Sequence, residues 1–196
     1  MLPVDAQEEP DVFERGVFNR LAIRVDSEIL ELSCGDGFAT KYFYSQKAKR
    51  VIAVDYDRRV IDRARKVNSS DNIEYLCMDV KVNLPAGEFD NVIWDIVSPF
   101  SKYFTEEQIS SIFARIKSKT KETGCFSGHT HTDERKSEDT RMFLLKSKSD
   151  LYRLLTPHFN NVCVFETVYE ERHNLYFWAS DGEIPFLHKQ RLETAK

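Results

Sequence analysis

The 196-residue sequence predicts an α/β fold: a Rossmann-like, doubly wound sheet, mostly parallel, with one antiparallel strand in a C-terminal hairpin and helices on both faces. Three observations predict it. From residue 27 onward, short apolar runs rich in β-branched residues alternate with stretches of helical periodicity. Two strand-like runs then follow each other near the C-terminus with only a turn between them. A hydrophobic content of 41% beside 31% charged residues suits one domain with a sizeable core.

Asp11 to Leu21 reads as an amphipathic helix with Phe13, Val17 and Leu21 on its apolar face. Glu28 to Leu32 is the first strand, closed by the turn Cys34-Gly35-Asp36-Gly37, with a helix starting near Phe38. Arg50 to Asp55 is the second strand, and Arg58 to Val67 a helix through Val60, Ile61, Ala64 and Val67. Ile73 to Met78 and Phe89 to Val97 are the third and fourth strands, and Ser98-Pro99-Phe100 opens a loop. Thr105 to Lys121 is a helix: Thr105 and Gln108 fit a capping box, and Ile109, Ile112, Phe113 and Ile116 fall on one side. A fifth strand begins at Gly124 to Gly128, and Lys136 to Arg141 is an exposed charged loop after it. Ser149 to Leu155 is a helix capped by Ser149 and stopped by Pro157. Val162 to Tyr169 and Leu175 to Ala179 form the hairpin, joined by Glu170 to Asn174.

Several function classes recede on composition. No apolar stretch approaches a membrane span, and the acidic N-terminus lacks the basic and apolar parts of a signal peptide. Cys34, Cys77, Cys125 and Cys163 form no CxxC pair and lie in or beside apolar runs, which reads as four buried thiols in a reducing, cytoplasmic setting. A net charge of -4 with dispersed basic residues argues against a nucleic-acid partner. The His129–His131 pair would need further ligands to hold a metal, and although Asp133 and Glu134 are close by, no metal is expected.

In an open α/β sheet, ligands bind beyond the carboxyl ends of the strands. There the sequence sets Glu31, Asp55, Asp79 and Asp95, one acid at the end of each of the first four strands. A single acid at such a place often caps the following helix. The row as a whole suits a ligand with hydroxyls and positive charge. Gly35 and Gly37 allow close approach of a ligand to the main chain. A dinucleotide brings a pyrophosphate that Glu31 and Asp36 would repel, and Thr40 stands where its fingerprint needs a third glycine.

ILELSCGDGFAT, Ile29 to Thr40, resembles the first motif of the class I S-adenosylmethionine-dependent methyltransferases, with Glu31 as its acid and Ser33, Gly35 and Gly37 at its three glycine positions. Serine replaces the first glycine. VIAVDYD resembles the second motif, with Asp55, followed by Tyr56, at the ribose position. IEYLCMDV resembles the third, with Asp79 and the N–H of Val80 toward the adenine. FDNVIWDI resembles the fourth, with Asp95 near the methionine end. The likeness covers about residues 27 to 100, and RHNLYFWAS resembles the end of the family fold.

The resemblance implies S-adenosyl-L-methionine as cofactor, held by Glu31, Ser33, Cys34, Gly35, Gly37, Asp55, Tyr56, Asp79, Val80 and Asp95. It implies one methyltransferase domain over 1–196, with 1–26 as a helical segment or lid, 27–180 as core and 181–196 as tail. Methyl transfer is an in-line displacement in which the protein aligns the partners, and a base takes the acceptor's proton where one must leave. Candidates at the rim are Asp95, His129 and His173. His129 and His131 are expected on opposite faces of their strand, and His173 in the hairpin turn. A nearly minimal core favours a small-molecule or sugar acceptor. A protein or nucleic-acid acceptor, an NAD-dependent oxidoreductase and an inactive cofactor-binding protein are the alternatives.

Overall fold

The computed structural model describes residues 10–96, 98–134, 143–169 and 172–186. Its strands are β1 (Ser27–Leu32), β2 (Ala48–Asp55), β3 (Ile73–Cys77), β4 (Phe89–Asp95), β5 (Thr120–His131), β6 (Asn161–Tyr169) and β7 (Arg172–Ser180). Its helices are α1 (Pro10–Leu21), α2 (Arg58–Val67), α3 (Glu106–Lys119) and α4 (Lys148–Leu155), with a π-helical segment over Thr40–Tyr44. The strands form one sheet in the order β3-β2-β1-β4-β5-β7-β6. β1 pairs in parallel with both β2 and β4, so the strand order reverses beside it. β7 runs antiparallel to both β5 and β6, and so against the rest of the sheet. No described helix is long and apolar enough to cross a membrane.

The α2 bounds and the α3 capping box match expectation: the Thr105 side chain accepts from the Gln108 N–H, and Gln108 reaches back. Other boundaries move. β5 starts at Thr120, before the apolar run, because α3 feeds straight into it and Thr120 already pairs with Phe89. The cap of α4 is Ser147, whose hydroxyl accepts from the Asp150 N–H, while Ser149 lies inside the helix. The hairpin is tighter than expected: Tyr169 pairs with Arg172, so His173 stands in β7 opposite Val168 rather than in a turn. Lys136 to Arg141, Val97 and most of the tail lie outside the described residues. Cys34 and Cys125 are buried and Cys163 partly so, but Cys77 is exposed, at the end of the edge strand β3.

Side chains alternate across a strand, so each strand contributes to two layers. One layer is apolar. Leu30, Leu32, Val92, Trp94, Phe126 and Phe177 pack against Ile109, Phe113 and Ile116 of α3 and Leu151 and Leu155 of α4. Its aromatic rings stack edge to face: Phe113 lies 5.4 Å from Phe126, which lies 4.9 Å from Phe177. Burial of each such side chain contributes about 1.5–3 kcal/mol.

The other layer turns polar toward the carboxyl ends. There Glu31, Ser127, His129, His131 and Asn174 are buried and Asp95 is half-buried. α1 covers them. Its apolar side is not the expected one, since Val17 and Leu21 are 49% and 45% exposed. Phe13 packs on Phe38 and Phe43, Gly16 lies so close to the Phe43 ring that a methyl group would collide, and Asn19 is buried. Phe18 meets Phe165, Tyr176 and Trp178. A polar residue sits in the buried stripe because the surface beneath it is polar.

Candidate functional site

The turn after β1 holds three residues in the left-handed region: Ser33 (φ 59°), Gly35 (φ 57°) and Gly37 (φ 78°). A serine there is strained, and its hydroxyl is held by the Trp94 indole N–H at 3.2 Å. Gly37 is needed twice over, for its φ and because a Cβ would strike the Tyr75 hydroxyl. That hydroxyl donates to the Asn68 carbonyl at 2.9 Å and anchors the turn to α2. The Gly35 N–H donates to Asp55 Oδ2 at 3.1 Å, and the Asp57 N–H to Oδ1 at 3.0 Å. Asp55 therefore ties the turn to the end of β2 while lining a cleft.

That cleft, about 580 Å³, is lined by Ser33, Asp55, Tyr56, Met78, Asp79, Val80, Lys81, Asp95, Ile96, Tyr103 and Phe104. The structure thus brings together Ser33, Asp55, Tyr56, Asp79, Val80 and Asp95 from the expected set. Asp79 follows β3, and its carboxylate accepts the Lys81 N–H at 2.8 Å. The Val80 carbonyl accepts from Arg115 of α3 at 2.8 Å. Lys81 Nζ lies 4.9 Å from the centre of the Phe104 ring. Met78, Lys81, Ile96, Tyr103 and Phe104 escaped sequence reading. The latter two sit in a segment read only as loop, which Thr130 of β5 pins by accepting the Phe100 N–H and donating to the Ser98 carbonyl.

Glu31, Cys34, Gly35, Gly37, His129 and His173 do not line the cleft. Glu31 lies one step deeper, paired with Ala53 and Ile93, so the rim carries three of the four expected acids. Burial pushes its carboxyl up to about 8, with nearby Asp95 adding to the effect. Asp95 faces the cleft and also the space under α1. Its two oxygens accept from Asn19 Nδ2 at 2.9 and 3.0 Å, and Oδ2 also from the Tyr44 hydroxyl at 3.0 Å. Burial raises the Asp95 carboxyl, against the opposing pull of Arg15, Asn19 and Tyr44.

His129 is the register partner of Asp95. It and His131 share a face, not opposite faces, because residues two apart in a strand point the same way, and their ring centres are 4.9 Å apart. Burial holds the His129 imidazole well below its usual range, so it is neutral at neutral pH. His173 belongs to the opposite layer. It is about half exposed, its Nδ1 2.7 Å from Glu166 Oε1. The structure brings His129 to Asp95 and leaves His173 apart. Among the described residues, no group of three or more His, Cys, Asp and Glu side chains is placed to hold a metal ion.

A family model described as a methyltransferase domain matches residues 29–124, the span that builds the turn and the cleft. A probable ribosomal RNA small subunit methyltransferase A from Pyrococcus abyssi is 35% identical over 88 residues, which are 44% of this chain and 32% of that protein. The chain thus spans about a third of the length of the curated relative it matches. Among solved structures, a complex of DhpI with SAH superposes with a TM-score of 0.67 at 21% identity, over 91% of this chain and 85% of that one. The N-methyltransferase NodS from Bradyrhizobium japonicum superposes with a TM-score of 0.67 at 17% identity, over 93% of this chain and all of that one. At these identities the two structures establish the shared fold.

Proposed function

We propose, from the match of residues 29–124 to a methyltransferase-domain family model, that this chain transfers a methyl group from S-adenosylmethionine to a small-molecule or sugar acceptor. The observation that carries the reading is the cleft, where Asp55, Asp79, Val80 and Asp95 converge from the ends of β2, β3 and β4. Its donor set suits this cofactor. Asp55 retains lone pairs for two ribose hydroxyls. Asp79 and the Val80 N–H would hold the edge of an adenine, with Met78, Ile96 and Phe104 as apolar walls. Asp95 supplies the carboxylate that an ammonium and a sulfonium require. When bound, the cofactor supplies an activated methyl group and its own leaving group. The chain's part is to orient, to exclude water and to accept a proton. We assign the last of these roles to the neutral, buried His129, the strand neighbour of Asp95.

A small acceptor is favoured over RNA by the acidic rim and the net charge of -4. The partial match to an rRNA methyltransferase favours the second reading. Incubation with labelled cofactor and either a small-metabolite extract or ribosomal RNA separates the two. Label in small molecules, with no salt-dependent retention on RNA, supports the first reading. Label in RNA would replace it with the second.

A further inference from the structure

One end of the cleft is built by the short segment that follows β3, and this segment is held from several sides. Asp79 Oδ1 accepts the Lys81 N–H at 2.8 Å, which leaves Oδ2 for a ligand. The Asp79 carbonyl accepts from the N–H groups of Val82 and Asn83 at 3.0 and 3.1 Å. A peptide unit is planar, so fixing that carbonyl also fixes the N–H on its other edge, which belongs to Val80. Val80 is only 8% exposed, and among the described residues nothing accepts its N–H. A buried N–H without a partner calls for one, and this one stands in the wall of the cleft.

The next two carbonyls are held by α3. Arg115 Nη2 donates to that of Val80 at 2.8 Å and to that of Lys81 at 3.2 Å. Among the described residues these are the guanidinium's hydrogen bonds, and its buried Nε has no partner. A charged donor binds a carbonyl more strongly than a neutral one, and a guanidinium is planar and always charged. On the cleft side, Lys81 Nζ lies 3.4 Å from the Tyr103 carbonyl and 4.9 Å from the centre of the Phe104 ring, so the same segment also steadies the facing wall. Arg115 stands off the buried face of α3, which is made by Ile109, Ile112, Phe113 and Ile116. Removing its guanidinium therefore frees the segment and leaves the core contacts of the helix in place.

Resting on the methyltransferase reading, we infer that Arg115 is a positioning residue that sets, from α3, which base the cofactor site accepts. Arg115 does not line the cleft, and it acts through the segment whose Val80 N–H and Asp79 carboxylate do. These two groups ask opposite things of a base: the N–H needs an acceptor and the carboxylate a donor. Adenine offers both on neighbouring atoms, a bare ring nitrogen and an amino group. Hypoxanthine reverses both, with a hydrogen on that ring nitrogen and a carbonyl in place of the amino group. Such a reversed partner is rejected strongly only while the groups that read it are rigidly placed. The rest of the cofactor is read from elsewhere, since Asp55 and Asp95 end β2 and β4.

The test titrates S-adenosylhomocysteine, and then its deaminated analogue S-inosylhomocysteine, into the full chain and into its Arg115→Leu variant. The unaltered protein is expected to bind the adenine ligand about 10–100-fold more tightly than the hypoxanthine one, because the latter sets donor against donor and acceptor against acceptor. Arg115→Leu is expected to weaken S-adenosylhomocysteine about tenfold and S-inosylhomocysteine by less than about twofold, so that the preference collapses. An arginine that only stabilised the fold would weaken both ligands equally. That result, an unchanged preference in the variant, or equal binding of the two ligands to the unaltered protein overturns the inference and leaves the cofactor reading intact. If Arg115→Leu melts early, Arg115→Lys decides. An ammonium donates to a carbonyl without the rigid fork, so an intermediate preference is expected, and an unchanged one overturns the inference. Failure of S-adenosylhomocysteine to bind the unaltered protein overturns the methyltransferase reading, and the role of Arg115 with it.

Discussion

The same strands face two unlike layers. Toward α3 and α4, the layer is built of buried apolar side chains, from Leu30 and Trp94 to Phe177. Toward α1, the carboxyl-end positions are acids, histidines and amides, several of them unpaired. Only the first layer is packed as a core should be. The second carries an energetic cost that stability alone does not explain, as expected where a site occupies part of a fold.

Substitutions sharpen this contrast. The largest effect belongs to the apolar layer. Phe113→Ala leaves a void among Trp94, Phe100 and Phe126 and is expected to cost about 3–5 kcal/mol in urea unfolding. A cost below ~1 kcal/mol would mean that this layer is not the main source of stability. Gly37→Ala meets both a positive φ and the Tyr75 hydroxyl, and is expected to cost about 1–3 kcal/mol while weakening cofactor binding. Unchanged binding would separate the turn from the site.

The sign reverses on the polar layer. Glu31 binds its proton more tightly when folded, at about 8 against 4.5 for an ordinary glutamate carboxyl. Between those values the folded chain holds a proton that the unfolded chain has released. Stability therefore falls as pH rises through that window, and levels off above it. Asp95 and Asp55 drive the shift further up and Arg15 opposes it. Glu31→Gln is expected to remove that slope and to raise the melting temperature at pH 8 by about 2–4 °C, the equivalent of ~1 kcal/mol. A lower melting temperature would show that the carboxylate is paired in the folded state. Smallest of all, Ser127→Ala removes an unpaired buried hydroxyl and is expected to change stability by less than ~0.5 kcal/mol. A loss above ~1 kcal/mol in thermal unfolding would reveal a partner for it.

How much the sequence reveals also differs between the layers. Alternation of β-branched runs with helical periodicity located all seven strands and the three later helices, because the apolar layer repeats its pattern locally. The turn from Ser33 to Gly37 and the acids Asp55, Asp79 and Asp95 were legible because strand ends are marked by their own neighbours. The α1 contacts were not. Asn19 is buried on account of Asp95, 76 positions further on, and nothing near Asn19 signals that. Tyr103 and Phe104 reach the cleft only because Thr130, from another strand, fixes the loop before them. His129 and His131 were assigned to opposite faces against the two-residue period, and their common face is what gathers the polar atoms beside Asp95.

The central claim is that the cleft at the ends of β1 to β4 binds S-adenosylmethionine. Calorimetric titration of S-adenosylhomocysteine into the protein and into its Asp55→Ala variant, with NAD as control, tests it most directly. Micromolar binding to the protein, weakened at least tenfold in the variant and absent for NAD, is the predicted result. Binding of NAD alone, or equal binding to both proteins, would contradict the account.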